Sequence, residues 1–466
     1  MKTSILSALL IVYLEFVPTT QAVSPPPDGG YPNFTTAEGT KALQSLTTGS
    51  ANTAVGWFSL FSNAGGSFNT ATGAGSLLFN TADDNTAFGA AALLFNTTGI
   101  NNTAVGATAL LHNTIAEENT ATGAFALSSN TEGDFNTATG AFALSFNTIG
   151  VRNTAMGDSA LFSNTAGNRN TAAGNAALVL NTTGTENTAT GASALSSNTA
   201  GEGNTAHGAD ALSSNTTGSS NTATGVNALL HNTIGNNNAA NGLNALFSNT
   251  SGIVNTAMGN QTLQSNTTGS HNTALGSGAG NSVTTADNVI AIGTAGANVS
   301  DSCYIGNIWN QPGGSQAVYV NSEGKLGAQV SSRRFKDEIK PMEQTSEIIY
   351  GLKPVSFRYK PEIEPTRPVG FGLIAEDVEK ISSDLVTRGG DGKVNSVRHD
   401  AVNAMLLNEF LKEHAKVQEQ QATIADLEFR VARQEKQIAA LASGLQRVSA
   451  QIEMSKTAPQ MVVNKQ

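Results

Sequence analysis

Apolar and polar positions alternate along this chain in two different rhythms. Between Thr35 and Ile305 one seventeen-residue phrase, N-T-A-x-G-x-x-A-L-x-x-N-T-x-G-x-x, recurs sixteen times. Asn102-Thr103-Ala104-Val105-Gly106 opens one copy and Asn119-Thr120-Ala121-Thr122-Gly123 the next, while the copy at Asn69 is one residue short. A fixed period of this length predicts a solenoid whose successive coils stack on one another. Further on, Phe410, Val417, Ile424, Val431, Ile438, Leu445 and Ile452 stand seven residues apart. That spacing predicts a long helix from Asp400 with a heptad seam. The companion seam positions are Glu413, Gln420, Leu427, Gln434, Leu441 and Val448. Glutamine there suits a bundle of three chains better than a tight pair, and a helix lying on its own domain is the alternative.

Within a coil each recurring residue has an expected task. The fifth-position glycine, as at Gly56 or Gly276, fits a turn with positive φ or a place where another backbone comes too close for a Cβ. The third-position alanine and the Ala-Leu pair (Ala126-Leu127, Ala160-Leu161) carry the apolar content. Seventeen residues are long enough for two short strands and two turns, with coils ~4.8 Å apart. Asparagines stacked on asparagines are expected to form amide ladders along the stack. One leucine per coil is a thin core, which favours several chains packed side by side, with a self-sufficient single-chain β-helix as the alternative.

Composition separates the two halves: the repeats are rich in Gly, Asn, Thr, Ala and Ser, and most charges lie beyond Ser331. A formal net charge of −10 and the lack of a basic stripe in the repeats argue against nucleic acid as a partner. Cys303 is the single cysteine, so no intrachain disulfide is available, and a small buried thiol is the expected environment. Lys2, the apolar run Ile5 to Tyr13 and Thr20-Gln21-Ala22 have the order of a secretory signal over residues 1–22. The run is too short to span a bilayer, and no other stretch is apolar enough for a membrane span. Residues 23–34, with Pro25-Pro26-Pro27, read as a linker. The expected location is therefore secreted or at the cell surface of a bacterial envelope. Acidic residues of the repeats, such as Asp83, Asp84, Glu117 and Asp134, fall in variable turn positions and make no pair set for glycosidase chemistry. His112, His207, His231 and His271 do not occupy one common position, so no metal site is expected, and no cofactor.

The repeats, over residues 35–310, resemble the heads of trimeric surface adhesins, which form a left-handed parallel β-roll. Val289-Ile290-Ala291-Ile292-Gly293 and Tyr304-Ile305-Gly306 lie nearest to that pattern. After a junction at 311–330 come Val330-Ser331-Ser332-Arg333-Arg334-Phe335-Lys336, Gly351-Leu352-Lys353-Pro354-Val355 and Gly370-Phe371-Gly372-Leu373-Ile374-Ala375-Glu376. In this order the three blocks resemble the C-terminal intramolecular chaperone of phage tailspikes such as endosialidases, the family-74 serine peptidases, over about residues 331–425. The resemblance implies a small α+β domain that trimerises, guides the preceding fibre to fold, and cuts itself off with a serine–lysine dyad. On the family's S-D-x-R-x-K motif, Ser331 is the nucleophile, Arg334 the motif arginine and Lys336 the base, with the scissile bond between Val330 and Ser331. Ser332 stands where the family has aspartate.

A serine hydroxyl needs a neighbouring base, and a lysine serves only when neutral. Arg333 and Arg334 would push Lys336 that way, and Asp337 and Glu338 would push back. Five residues separate Ser331 from Lys336, which places them on opposite faces of a strand. They meet only if the chain bends, or if the lysine comes from a neighbouring protomer. The fold class expected is thus mostly β: a parallel β-roll or solenoid, then a small α+β domain overlapping a coiled-coil helix at 402–453, and a disordered tail at 454–466. The expected function is a secreted, homotrimeric fibre or adhesin-like protein with single-turnover autoproteolysis at most. The alternative is a phage-type fibre whose repeats bind or hydrolyse a glycan.

Overall fold

The computed structural model describes residues 32–308, 318–320, 324–328, 331–389 and 391–456. The expected signal segment, most of the linker and junction, and the last ten residues of the tail lie outside these. Two units separate, one up to Pro312 and one from Gly313 onward.

In the first unit the chain winds as a parallel β-solenoid. Its three-residue strands run from β1 (Thr36–Glu38) to β17 (Cys303–Ile305) and form one 17-stranded sheet. Each strand pairs in parallel with the next in sequence, threonine on threonine and alanine on alanine, as in Thr137↔Thr154 and Ala138↔Ala155. The register survives the short copy, since Thr70 pairs with Thr86. There Ala82 occupies the place of the second glycine and its carbonyl accepts from both Asn69 and Asn80.

The coil departs from the expected two strands. Only positions 2 to 4 form a strand, because the fifth-position glycine turns the chain (φ +137 at Gly123). The far side of the coil is still bonded to its neighbours, as Leu127 N–H donates to Ala143 carbonyl and Thr165 N–H to Thr182 carbonyl. It is curled rather than pleated. Positions 7 and 9 are left-handed in coil after coil, with φ 59 at Phe125 and 51 at Leu127. Adjacent residues on a strand point to opposite faces, so Ala126 and Leu127 cannot both turn inward from extended backbone. The left-handed step at Leu127 brings both in, at a conformational cost of about 1–2 kcal/mol.

The core also corrects the expectation that one chain is too thin to close. Ala121, Ala126 and Leu127, with their equivalents along the stack, are fully buried within the single chain. Asparagine completes the filling. Asn136 and Asn147 both donate to the Gly150 carbonyl of their own coil, at 2.8 and 2.9 Å. Asn136 N–H also donates to Asn119 Oδ1 at 2.9 Å, and Asn147 Nδ2 to Asn130 Oδ1 at 2.8 Å. Two amide ladders therefore run along the axis inside the solenoid, and among the described residues no buried side-chain nitrogen or oxygen lacks a partner. A buried amide is costly only when left unpaired, so these ladders let a thin coil seal without large apolar side chains. Position 12 is apolar at both ends, with Leu46 in the first coil and Val283 near the last. Position 1 begins at Thr35 and ends at Val289, whose N–H still donates to Asn272 Oδ1 at 2.8 Å. Cys303, on the terminal strand β17, is exposed rather than buried, because it stands at the outward position 2 of the strand, paired with Ile290, which is exposed as well.

The second unit is smaller. Val318–Val320 (β18) pairs antiparallel with Leu326–Ala328 (β19), Val355–Phe357 (β20) with Gly370–Gly372 (β21), and Val386–Arg388 (β22) with Val394–Val397 (β23). Ala375–Glu379 forms a short helix, α1, and His399–Lys456 a 58-residue helix, α2. Val378, Leu385, Val386 and Val397 make a compact core, against which Ala401, Val402 and Met405 of α2 pack. So the first turns of α2 lie on their own domain and the remainder does not: from Glu413 to Lys456 every residue except Gly444 is exposed.

Candidate active site

Ser331 and Ser332 lead into a single 3₁₀ turn, Arg333–Phe335, closed by Phe335 N–H to Ser332 carbonyl (2.9 Å) and Lys336 N–H to Arg333 carbonyl (3.1 Å). A turn of three residues shortens the five-residue offset and folds the chain back on itself. Lys336 Nζ consequently reaches Ser331 Oγ at 3.1 Å within one chain. Of the two ways the pair could meet, bending is the one that this geometry displays. Both side chains are exposed. Arg334 lies over the Phe335 ring at 4.6 Å. Ser332, at the start of the turn, makes no side-chain capping bond, a position where aspartate is a strong cap. Val330, the other half of the expected scissile bond, lies outside the described residues.

A second constellation went unnoticed in the sequence. Glu409 of α2 is buried and accepts from Lys412 Nζ (2.7 Å), Ser346 Oγ and Tyr350 Oη (2.9 Å). Asn408 adds bonds to Ser346 Oγ (2.7 Å) and to the Glu343 carbonyl (3.1 Å). Together they pin the 3₁₀ segment Glu343–Gly351 to the base of the long helix. The hydrogen bonds from Lys412, Ser346 and Tyr350 outweigh burial and hold the Glu409 carboxyl at about 2, against an ordinary 4.5. A carboxyl lowered on folding stabilises the folded form above its unfolded pKa, and that stability drains as pH falls toward the folded value. The docking of Glu343–Gly351 is therefore expected to weaken between roughly pH 4.5 and 2. Glu409→Gln is expected to flatten this dependence. Amide exchange of Glu343–Gly351 across that range would check it, and an unchanged pH profile in the variant would refute the assignment. A glutamate next to a heptad apolar residue looks like any solvated helix position, so no sequence signal marked it.

The heptad positions Phe410, Val417, Ile424, Val431, Ile438, Leu445 and Ile452 are all exposed, Leu445 by 73%. They form one stripe with Leu427, Leu441 and Val448, also exposed. Among the described residues no group of acidic, histidine or cysteine side chains could hold a metal ion, and no helix is long and apolar enough to cross a membrane.

The fold and these groups define a class: a fibre-like solenoid of uniform coils followed by a small domain with a long, uncovered helix. Residues 331–387 match the family model described as the chaperone of endosialidase, and the match begins at Ser331 itself. No curated protein and no solved structure matches the chain.

Proposed function

We propose that this chain is a secreted, homotrimeric fibre protein whose C-terminal domain assembles three chains, directs the folding of the solenoid and then cuts itself off between Val330 and Ser331. The observation that carries the reading is the 3.1 Å approach of Lys336 Nζ to Ser331 Oγ, at the first residue of the chaperone match. The uncovered stripe on α2 supports association. A 58-residue helix with a heptad of apolar side chains in water gains stability by burying them against its own kind. The match to the chaperone of endosialidase supports three chains over two.

The chemistry follows from the geometry. Lys336 takes the Ser331 hydroxyl proton as Oγ attacks the Val330 carbonyl carbon. The C–N bond then breaks, the proton passes to the Ser331 nitrogen, and Val330 is left as an ester on Oγ. Water hydrolyses that ester, which frees a Val330 carboxylate and an N-terminal Ser331. A lysine serves as base where water is excluded. Both groups are open to solvent in the single chain, so packing of three chains over the turn supplies the exclusion, and cutting follows assembly.

Ser331→Ala and Lys336→Ala are each expected to leave the chain whole, while the wild type yields a fragment running from Ser331 to Gln466. Mass spectrometry of the purified proteins reads this directly. Co-expression of the two variants decides whose lysine acts. In mixed trimers no chain holds both groups, so no fragment is expected, and efficient cutting there would mean that the lysine comes from a neighbour. Hydrolysis of a glycan by residues 23–330 alone would instead favour a tailspike enzyme.

A further inference from the structure

The solenoid's charges are unevenly placed. Most of the charged residues in the repeats, among them Asp83, Asp84, Glu117, Asp134, Arg169 and Asp287, occupy positions 16 and 17 of their coils. By contrast, the outward positions of the strand, 2 and 4, carry no Asp, Glu, Lys or Arg from Thr53 to Ile292. Neither do positions 10 and 11 on the other run of the coil, from Gln44 to Ser282. Both flanks instead show apolar side chains to solvent. Phe88, Met156, Met258 and Leu275 are exposed on the strand, and Phe79 and Leu180 on the far run. A free solenoid in water has no reason to keep two flanks clear of charge over fifteen coils while loading one rim with it.

We infer that these two flanks are one interface: in the trimer, the strand flank of each solenoid packs on the position 10–11 flank of the next copy. This rests on the trimeric reading above and names the surface that it uses. A three-fold contact joins two different patches and closes into a ring, so it needs two complementary flanks rather than one. Three chains held together by their C-terminal domains meet at high effective concentration, so a modest contact suffices. Size fits as well: the fifteen strands from Thr53 to Ile292, at ~4.8 Å each, give a strip about 70 Å long and, at ~10 Å wide, roughly 700 Å² per chain, the scale of a stable interface. The rim at positions 16 and 17 then faces water. Because each coil already closes its own core, the contact adds to a folded solenoid and does not complete it.

Disulfide trapping in the full chain tests this, with Cys303→Ser to remove the native thiol and Ser331→Ala to keep the domain attached. Three-fold symmetry sets equivalent coils at equal height, so Thr190→Cys and Ser197→Cys, from one coil, are combined. Mild oxidation is expected to give covalent trimers as the main species on a denaturing gel, and neither single variant is expected to cross-link. The pair Thr122→Cys and Ser129→Cys, in the coil that begins with strand β6 (Thr120–Thr122), repeats the test in case the first site disturbs folding. Light scattering first reports the mass in solution. A trimer that does not cross-link in either pair overturns the flank assignment alone, as does cross-linking of Thr190→Cys to itself. A mass of one chain overturns the trimeric reading and the flank assignment together.

Discussion

Gly140→Ala is expected to melt the solenoid around its coil, with a loss of roughly 4–5 kcal/mol or more, the range of the most damaging single substitutions. Two independent obstacles coincide there. The backbone sits at φ +134, where a side chain is strained, and an added Cβ would lie 2.4 Å from the Gly157 carbonyl oxygen and 2.6 Å from its carbon. Those atoms are backbone of the next coil, so relief requires the coils to part. Parting them breaks the inter-coil bonds on which a stack of repeats depends. Gly203→Ala is the matched control. Gly203 has φ +63, with Ser220 Oγ the nearest atom at 3.9 Å, and Glu186 and Ser220 hold the same position in neighbouring coils at φ 59 and 58. Its substitution is expected to change stability by about 1 kcal/mol or less. Thermal unfolding followed by circular dichroism, with coil-resolved amide exchange, separates the two. Equal stability of both variants would show that the close approach carries no weight.

Asn147→Leu is expected to cost about 2–5 kcal/mol although leucine is the more apolar residue. Asn147 donates to Asn130 Oδ1 (2.8 Å) and to the Gly150 carbonyl (2.9 Å), and accepts from Asn164 Nδ2 (2.7 Å). Removing it strands a buried acceptor on one side and a buried donor on the other, and each loses its partner far from water. Asn266→Leu should cost less. It ends its ladder, because the next position 12 is Val283. Asn272 Nδ2 approaches Asn266 Oδ1 only at 3.5 Å and keeps its shorter bond to the Ala286 carbonyl at 2.8 Å. The same two measurements apply, and equal losses at the two sites would refute a ladder whose cost depends on both neighbours.

Much of this was legible before any coordinates. The seventeen-residue period implied stacked coils in register, since only residue-on-residue stacking uses an identical unit repeatedly. The glycine at position 5 implied both a turn and a close approach, and the structure uses it for both. The amide ladders followed from asparagine recurring at positions 1 and 12. Less visible was Leu127. Nothing in the letters marks a leucine as left-handed, because leucine has no preference for that region and only the need to bury two adjacent side chains puts it there. The expected burial of Cys303 fails for a different reason: it pairs with Ile290 at position 2 of the strand, and strand alternation turns that position outward.

The second unit divides along the same line. The chaperone blocks and the seven-residue apolar spacing are local patterns, readable from chain order alone. The approach of Lys336 to Ser331 is not, because a five-residue offset suits neither strand nor helix and is resolved by a turn at Arg333–Phe335. Glu409 is further removed still, since Ser346 and Tyr350 lie 63 and 59 residues away in sequence. The sequence by itself thus determined the repeat, its ladders and the seven-residue apolar stripe of the long helix, all properties of spacing. Only the tertiary structure decided that one chain closes its own core, which side chains a turn brings together, and which carboxylate is buried. Those depend on contacts between residues whose separation in the chain has no period.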